Sequence, residues 1–265
     1  MSQRVFGIDF TSRPTAAKPI TCVQTTLTGD VLRFDGIESW TSFAEFDAFL
    51  ASDGPWIAGM DFPFGQARRF LENLGWPTQW SGYAERVASL SRPEWRQLLD
   101  DYRRDRPPGD KEHKRETDRI TGAVSSQKLY GVPVALMFYE GVPRLWRSKV
   151  SIPLLRPSDD ERIALEAYPG VLARELIGRV PYKQDVRDKQ NQAQREARQR
   201  LLEALCNGEA GLTVSAPGDL VDDPKADTLD ALLCAVQATK AVRSPAFGIP
   251  PDADQAEGWI AASVR

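Results

Sequence analysis

The chain has 265 residues, is 42% hydrophobic and 27% charged, and carries a formal net charge of -3. That length buries a full core, as one large domain or two smaller ones, and the composition is that of an ordinary soluble globular protein. The small net charge excludes a global pull towards nucleic acid or anionic lipid, so a polyanionic partner needs a local basic patch.

The three cysteines, Cys22, Cys206 and Cys234, are scattered and contain no Cys-x-x-Cys pair. A disulfide framework or a thiolate zinc site is therefore not expected, and a reducing cytoplasmic setting is the default. His113 is the only histidine, which disfavours histidine-based zinc sites and any Ser-His-Asp triad not centred on it. No stretch approaches the roughly 20 apolar residues that span a bilayer, and the first apolar run is too short for a secretory h-region. No membrane partner is expected.

Residues 4–10 read as a first strand, Val-Phe-Gly-Ile-Asp-Phe ending on Asp9. Residues 20–28 are rich in β-branched types and predict a second strand; Gly29-Asp30 supplies a turn and 31–38 return as a third. Ser42 and Glu45 form a capping box ahead of a helix whose apolar face is Phe43, Phe46, Phe49 and Leu50. A fourth strand, Trp56 to Met60, ends at Asp61. The order β-β-β-α-β predicts three antiparallel neighbours and a fourth strand beside the first. From about 66 to 160 the pattern becomes helical in pieces, over 66–74, 83–105 and 110–122, while 132–155 is apolar but broken by prolines. This reads as a helical insertion or lid within a single domain spanning 1–265. A fifth strand at 163–168 carries Glu166, and helices follow over 185–206 and 225–242. The tail Glu257-Gly258-Trp259-Ile260 predicts a short strand or turn.

Five carboxylates stand out by context. Asp9 and Asp61 end apolar strands, Glu166 sits inside one, and Asp227 and Asp230 share one face of an alanine-rich helix. A carboxylate in apolar surroundings is costly unless it is paired or holds a cation. Oxygen-only ligands on rigid elements suit Mg²⁺ or Mn²⁺, and two such ions about 4 Å apart serve phosphoryl transfer.

The β-β-β-α-β opening, with Asp9, Asp61 and a late helical aspartate pair, resembles the ribonuclease H-like fold. The phrases Gly-Ile-Asp-Phe, Gly-Met-Asp-Phe-Pro-Phe-Gly, Glu-Ala-Tyr-Pro, Asp-Thr-Leu-Asp-Ala and Glu-Gly-Trp-Ile resemble domain-of-unknown-function family 429 across nearly the whole chain. That family is regarded as predicted ribonuclease H-like nucleases. The resemblance implies an α/β fold with a mixed sheet flanked by helices and a metal-dependent site at Asp9, Asp61, Glu166 and Asp227 or Asp230.

The expected activity is hydrolysis of DNA or RNA phosphodiesters by metal-activated water. Asp9 would bridge the ions, Asp61 and Asp230 would complete their shells, and the basic run Lys111, Lys114, Arg115 and Arg119 would bind nucleic-acid phosphates, with Thr117 and Asp118 helping to position them. A solvated face laced with ion pairs is the plainer reading of that run. Lys183, Arg187 and Lys189 are further candidate phosphate contacts, and Trp76 and Trp80 are candidate base-stacking platforms. His113 is a weak candidate base and reads as exposed. An actin-like ATP-dependent phosphotransferase or ATPase is the alternative, but Thr11-Ser12-Arg13-Pro14-Thr15 after the first strand has no glycine and no Walker A motif occurs. A catalytically silent nucleic-acid-binding scaffold is the third possibility.

Overall fold

The computed structural model describes residues 2–261. Strands β1 (Ser2–Asp9), β2 (Ile20–Thr28) and β3 (Val31–Trp40) form the expected antiparallel meander. The β2–β3 turn is the pair Gly29-Asp30, with Gly29 at φ 57°, where a side chain would be strained. Helix α1 (Phe43–Leu50) starts at the capping box: the N–H groups of Thr41 and Ser42 each donate to Glu45 Oε2 at 2.9 Å. Strand β4 (Trp56–Met60) then lies parallel to β1, and β5 (Arg162–Glu166) parallel to β4. A three-residue strand, β6 (Thr213–Ser215), adds parallel to β3, so the sheet order is β5-β4-β1-β2-β3-β6. Nothing in the sequence signalled β6, because three residues are too few to show an alternating pattern.

Between β4 and β5 lie α2 (Arg68–Asn73), α3 (Trp80–Ala88), α4 (Arg92–Arg104), α5 (Glu116–Thr121) and α6 (Val134–Ser148). The single helix expected over 83–105 is two, because Ser91 opens a new one by accepting a hydrogen bond from the Glu94 N–H. The unassigned 132–155 stretch contains α6, with Pro143 inside it; burial of Leu136, Phe138, Val142 and Leu145 outweighs the lost backbone bond. After β5 come α7 (Pro169–Ile177), α8 (Gln192–Cys206) and α9 (Asp227–Val242). Helix α8 starts later than the charge pattern suggested: residues 187–189 form a separate 3-10 turn, and Asn191 caps the helix through the Gln194 N–H at 3.0 Å. The tail expectation is met by a parallel bridge between Ile260 and Glu166. No helix among the described residues is long and apolar enough to cross a membrane.

The sheet is packed on both faces. Ile8, Phe10, Ala58 and Met60 pack with α1 and the insertion helices, while Val5, Ile57 and Leu165 pack with α7, α8 and α9. Helix α9 approaches the sheet at two glycines that face each other across β1 and β4, Gly7 and Gly59. A Cβ on Gly7 would lie 1.7 Å from the Ala231 carbonyl oxygen, and one on Gly59 would lie 2.2 Å from that of Cys234. The helix answers with its small residues Ala231, Cys234, Ala235 and Ala238. Gly7→Ala is therefore expected to cost about 3 kcal/mol in urea denaturation, the upper end of ordinary overpacking, because helix backbone must move. Gly36→Ala, in β3 with open space around it, is the control and should be neutral or slightly stabilising.

Candidate active site

Side chains alternate along a strand, so Gly7 and Asp9 share a face, as do Gly59 and Asp61. The parallel register sets Gly7 beside Gly59 and Ile8 beside Met60, and the Asp61 N–H donates to the Ile8 carbonyl at 2.9 Å. Asp9 and Asp61 thus emerge side by side at the C-terminal ends of adjacent central strands, on the α9 face. The close approach at the glycines brings the first turn of α9, with Asp227 and buried Asp230, to the same place. Asp9, Asp61 and Asp227 line one cleft of about 590 Å³, together with Lys18, Lys183 and Lys225.

Asp230 is satisfied from the loop after α7. The Tyr182 hydroxyl donates to its Oδ1 at 2.6 Å, and the Lys183 ammonium pairs with its Oδ2. Asp9 and Asp61 accept no hydrogen bond through their carboxylates from any described residue. Burial, then the Asp230 and Asp61 carboxylates, hold Asp9 well above the usual aspartate range. Burial likewise pushes Asp61 up to about 7, with Lys183 opposing the rise and Asp230 and Glu166 adding to it. Asp227 is also raised, by burial and by Asp223. Burial opposes the charge on Lys183, but Asp230 and Asp61 more than restore it and raise the ammonium pKa.

Glu166 shares a small cavity of about 80 Å³ with Asp61 but does not line the Asp9 cleft. It is in register with Met60, one residue short of Asp61, and therefore faces the insertion. There it receives Arg115 in a two-pronged ion pair, with Nη1 to Oε2 at 2.8 Å and Nη2 to Oε1 at 2.5 Å, while the Phe64 N–H donates to Oε2 at 2.9 Å. Arg115 also pairs with Asp118, Nη2 to Oδ1 at 2.8 Å. All three side chains are buried.

The basic run is divided by this arrangement. Arg115 is 2% exposed and cannot meet a phosphate; its neighbours Thr117 and Asp118 are buried too. Lys111 and Lys114 are exposed, and Arg119 lines a groove with Arg174 and Arg179. Arg187 and Lys189 are exposed, whereas Lys183 belongs to the carboxylate cleft. Trp80 is buried with Nε1 donating to the Phe64 carbonyl at 2.8 Å, and Trp76 packs on Trp95, so both tryptophans serve the core. His113, expected to be exposed, is buried against the Tyr102 hydroxyl, 2.6 Å from Nε2, and lines none of the cavities at the sheet. Sequence reasoning missed Tyr182 as a partner of Asp230. The signal available was Tyr182-Lys183, an aromatic donor next to a cation, within an otherwise polar loop.

Among the described residues no group of three or more His, Cys, Asp or Glu side chains stands close enough to hold a metal ion. Asp230 is turned to Lys183 and Tyr182, which leaves Asp9 and Asp61 as the available pair. Their donors fit Mg²⁺ or Mn²⁺: hard oxygens at strand ends, their pKa values raised first by burial and then by neighbouring carboxylates, beside a cleft with room for water. Mg²⁺ is commonly held by one or two carboxylates and keeps several waters.

The family described as "Protein of unknown function (DUF429)" matches residues 7–255, and the chain belongs to it. No curated protein and no solved structure matches the chain.

Proposed function

We propose that the protein is a divalent-cation-dependent phosphodiester hydrolase built on a ribonuclease H-like core. The observation that carries this reading is the pair Asp9 and Asp61, adjacent on parallel strands and without a donor of their own at the mouth of the cleft. The sheet order supports it: three antiparallel strands with β4 and then β5 added parallel on the β1 side. Ligands in open α/β sheets bind beyond the carboxyl ends of the strands.

In this reading Asp9 and Asp61 would hold Mg²⁺ or Mn²⁺, with Asp227 beside them. The chemistry such a cation supplies is activation of water and neutralisation of phosphoryl charge. Lys183 keeps Asp230 paired and sets a cationic donor at the cleft for an anionic substrate. Tyr182 fixes the Asp230 carboxylate from the other side. Met137, Val132 and Pro133 line the apolar side of the cleft.

Titration calorimetry with Mn²⁺, alongside cleavage of single-stranded DNA, duplex DNA, RNA and RNA–DNA hybrid, tests the reading. We expect saturable Mn²⁺ binding and cleavage of at least one substrate that stops with EDTA. A protein that neither binds Mn²⁺ nor cleaves any of the four would overturn it.

A further inference from the structure

A second groove carries a cluster of basic side chains. It measures about 610 Å³ and lies between α5 and α7, with Arg119, Arg174 and Arg179 in its lining. None of the three pairs with a carboxylate among the described residues. Most other arginines near carboxylates do: Arg68 with Asp254, Arg92 with Glu140, Arg162 with Asp160. The one acid in the groove, Glu175, is answered by Lys240 at 3.4 Å. Arg174 is held in place, with Nη2 on the Thr121 carbonyl and the guanidinium carbon 5.5 Å from the centre of the Tyr168 ring.

One segment of chain runs from the groove to the carboxylates. Thr121 and Gly122 line it, and the next residues, Ala123 and Val124, line a smaller cavity of about 80 Å³ together with Tyr168 and Asp61. Asp61 and Met137 are shared between that cavity and the Asp9 cleft, so those two concavities adjoin. The segment 122–133 follows them all. It carries three of the large apolar side chains left exposed: Val124 at 42%, Tyr130 at 65% and Val132 at 56%. The Lys128 ammonium sits 5.1 Å from the Tyr130 ring centre.

Unpaired arginines followed by exposed apolar and aromatic side chains match a polymer that alternates anionic and flat apolar groups. We infer that the Arg119–Arg174–Arg179 groove and the 122–133 segment form a track for single-stranded nucleic acid leading to Asp61 and Asp9. The arginines take phosphates, and Tyr130 with Val124 and Val132 takes unpaired bases, whose faces a duplex does not offer. An acidic peptide would satisfy the arginines but leave the apolar row without a partner. This inference rests on the hydrolase reading for the meaning of its end point, but not for its measurement.

The test is fluorescence anisotropy with a short labelled oligodeoxythymidylate in EDTA, so that no cleavage intervenes. Arg174→Ala/Arg179→Ala should weaken binding about tenfold or more and flatten the log–log salt slope by about 1.4, two single-strand phosphate contacts at about 0.7 each. Tyr130→Ala should weaken binding about fivefold or more, and should leave unchanged the binding of an abasic phosphodiester of equal length. Arg96→Ala, exposed on α4, is the control and should bind like wild type. Wild-type-like binding by the variants, no oligonucleotide binding by the wild type, or equal competition by duplex or polyglutamate would overturn the track. Mn²⁺ titration of the same variants separates the two ideas. Lost oligonucleotide binding with Mn²⁺ binding retained supports a track distinct from the carboxylates. A wild type that binds the strand but neither Mn²⁺ nor cleaves leaves the track standing and removes the hydrolase reading.

Discussion

Asp9→Asn is expected to lower Mn²⁺-dependent cleavage by about a thousandfold or more, the scale of losing a principal electrostatic contributor, while making the metal-free protein more stable. Both effects have one cause. Asp9 and Asp61 are held side by side by the β1–β4 register, next to Asp230, and neither has a hydrogen-bond donor of its own among the described residues. Without a cation that arrangement is repulsive; in the proposed reading a bound cation would offset the repulsion. Asp61→Asn should behave in the same way.

The pH dependence follows with its sign. Burial pushes the native Asp61 up to about 7, against about 3.9 in an unfolded chain. Between those values the native state holds a proton that the unfolded state has released, so stability falls as pH rises through the window. Asp9 is shifted in the same direction. In EDTA, urea denaturation of Asp61→Asn should exceed wild type by about 1–3 kcal/mol near pH 7.5, and the two should converge towards pH 4. Mn²⁺ should raise the wild-type melting temperature and leave that of Asp9→Asn unchanged. An Asp9→Asn protein that unfolds more easily than wild type in EDTA would contradict the repulsion argument.

Arg115→Met is expected to cost about 3–5 kcal/mol, the range for removing one partner from a buried ion pair, out of a total that for single domains is about 5–15 kcal/mol. Glu166 and Asp118 would remain buried without their cation. Glu166 would keep only the Phe64 N–H, and burial already raises its pKa against the lowering by Arg115. The same guanidinium donates to the Glu257 carbonyl at 3.1 Å, so it joins the insertion, β5 and the C-terminal segment at one point. Arg115→Lys should also lose stability, because one ammonium cannot reproduce the two-pronged geometry to Glu166 and the contacts to Asp118 together. Loss of stability in Arg115→Met with Mn²⁺ binding retained in the folded fraction would mark Arg115 as a structural residue of the insertion. A stability change under about 1 kcal/mol would show that the triad is hydrated in solution.

Much of the core was legible because it is local. Alternation and turn chemistry mark the meander, Ser42 and Glu45 mark α1, and apolar runs ending in acid mark β1 and β4. The insertion was legible only as a helical region. Its breaks depend on which residues are buried, as Ser91 and Pro143 illustrate, and burial is a property of the assembled chain.

The candidate site divides on the same principle. The sequence by itself determined that Asp9 and Asp61 end buried strands, and it contains the phrase Gly-x-Asp twice, with a stripe of small residues in the last helix. That pairing encodes the close approach of α9, since only glycine on the strand and alanine or cysteine on the helix leave room for two backbones to touch. Only the tertiary structure decided the rest. Glu166 and Asp61 are both acids at strand ends and border one small cavity, but a register offset of one residue turns Glu166 to Arg115 and leaves Asp61 to line the Asp9 cleft. Arg115 and Arg119 lie one helical turn apart in a uniformly charged stretch, yet one is buried under Glu166 and the other opens into a groove. Charge and spacing were the same to the eye in each pair; the distinction comes from which partner packs against which face.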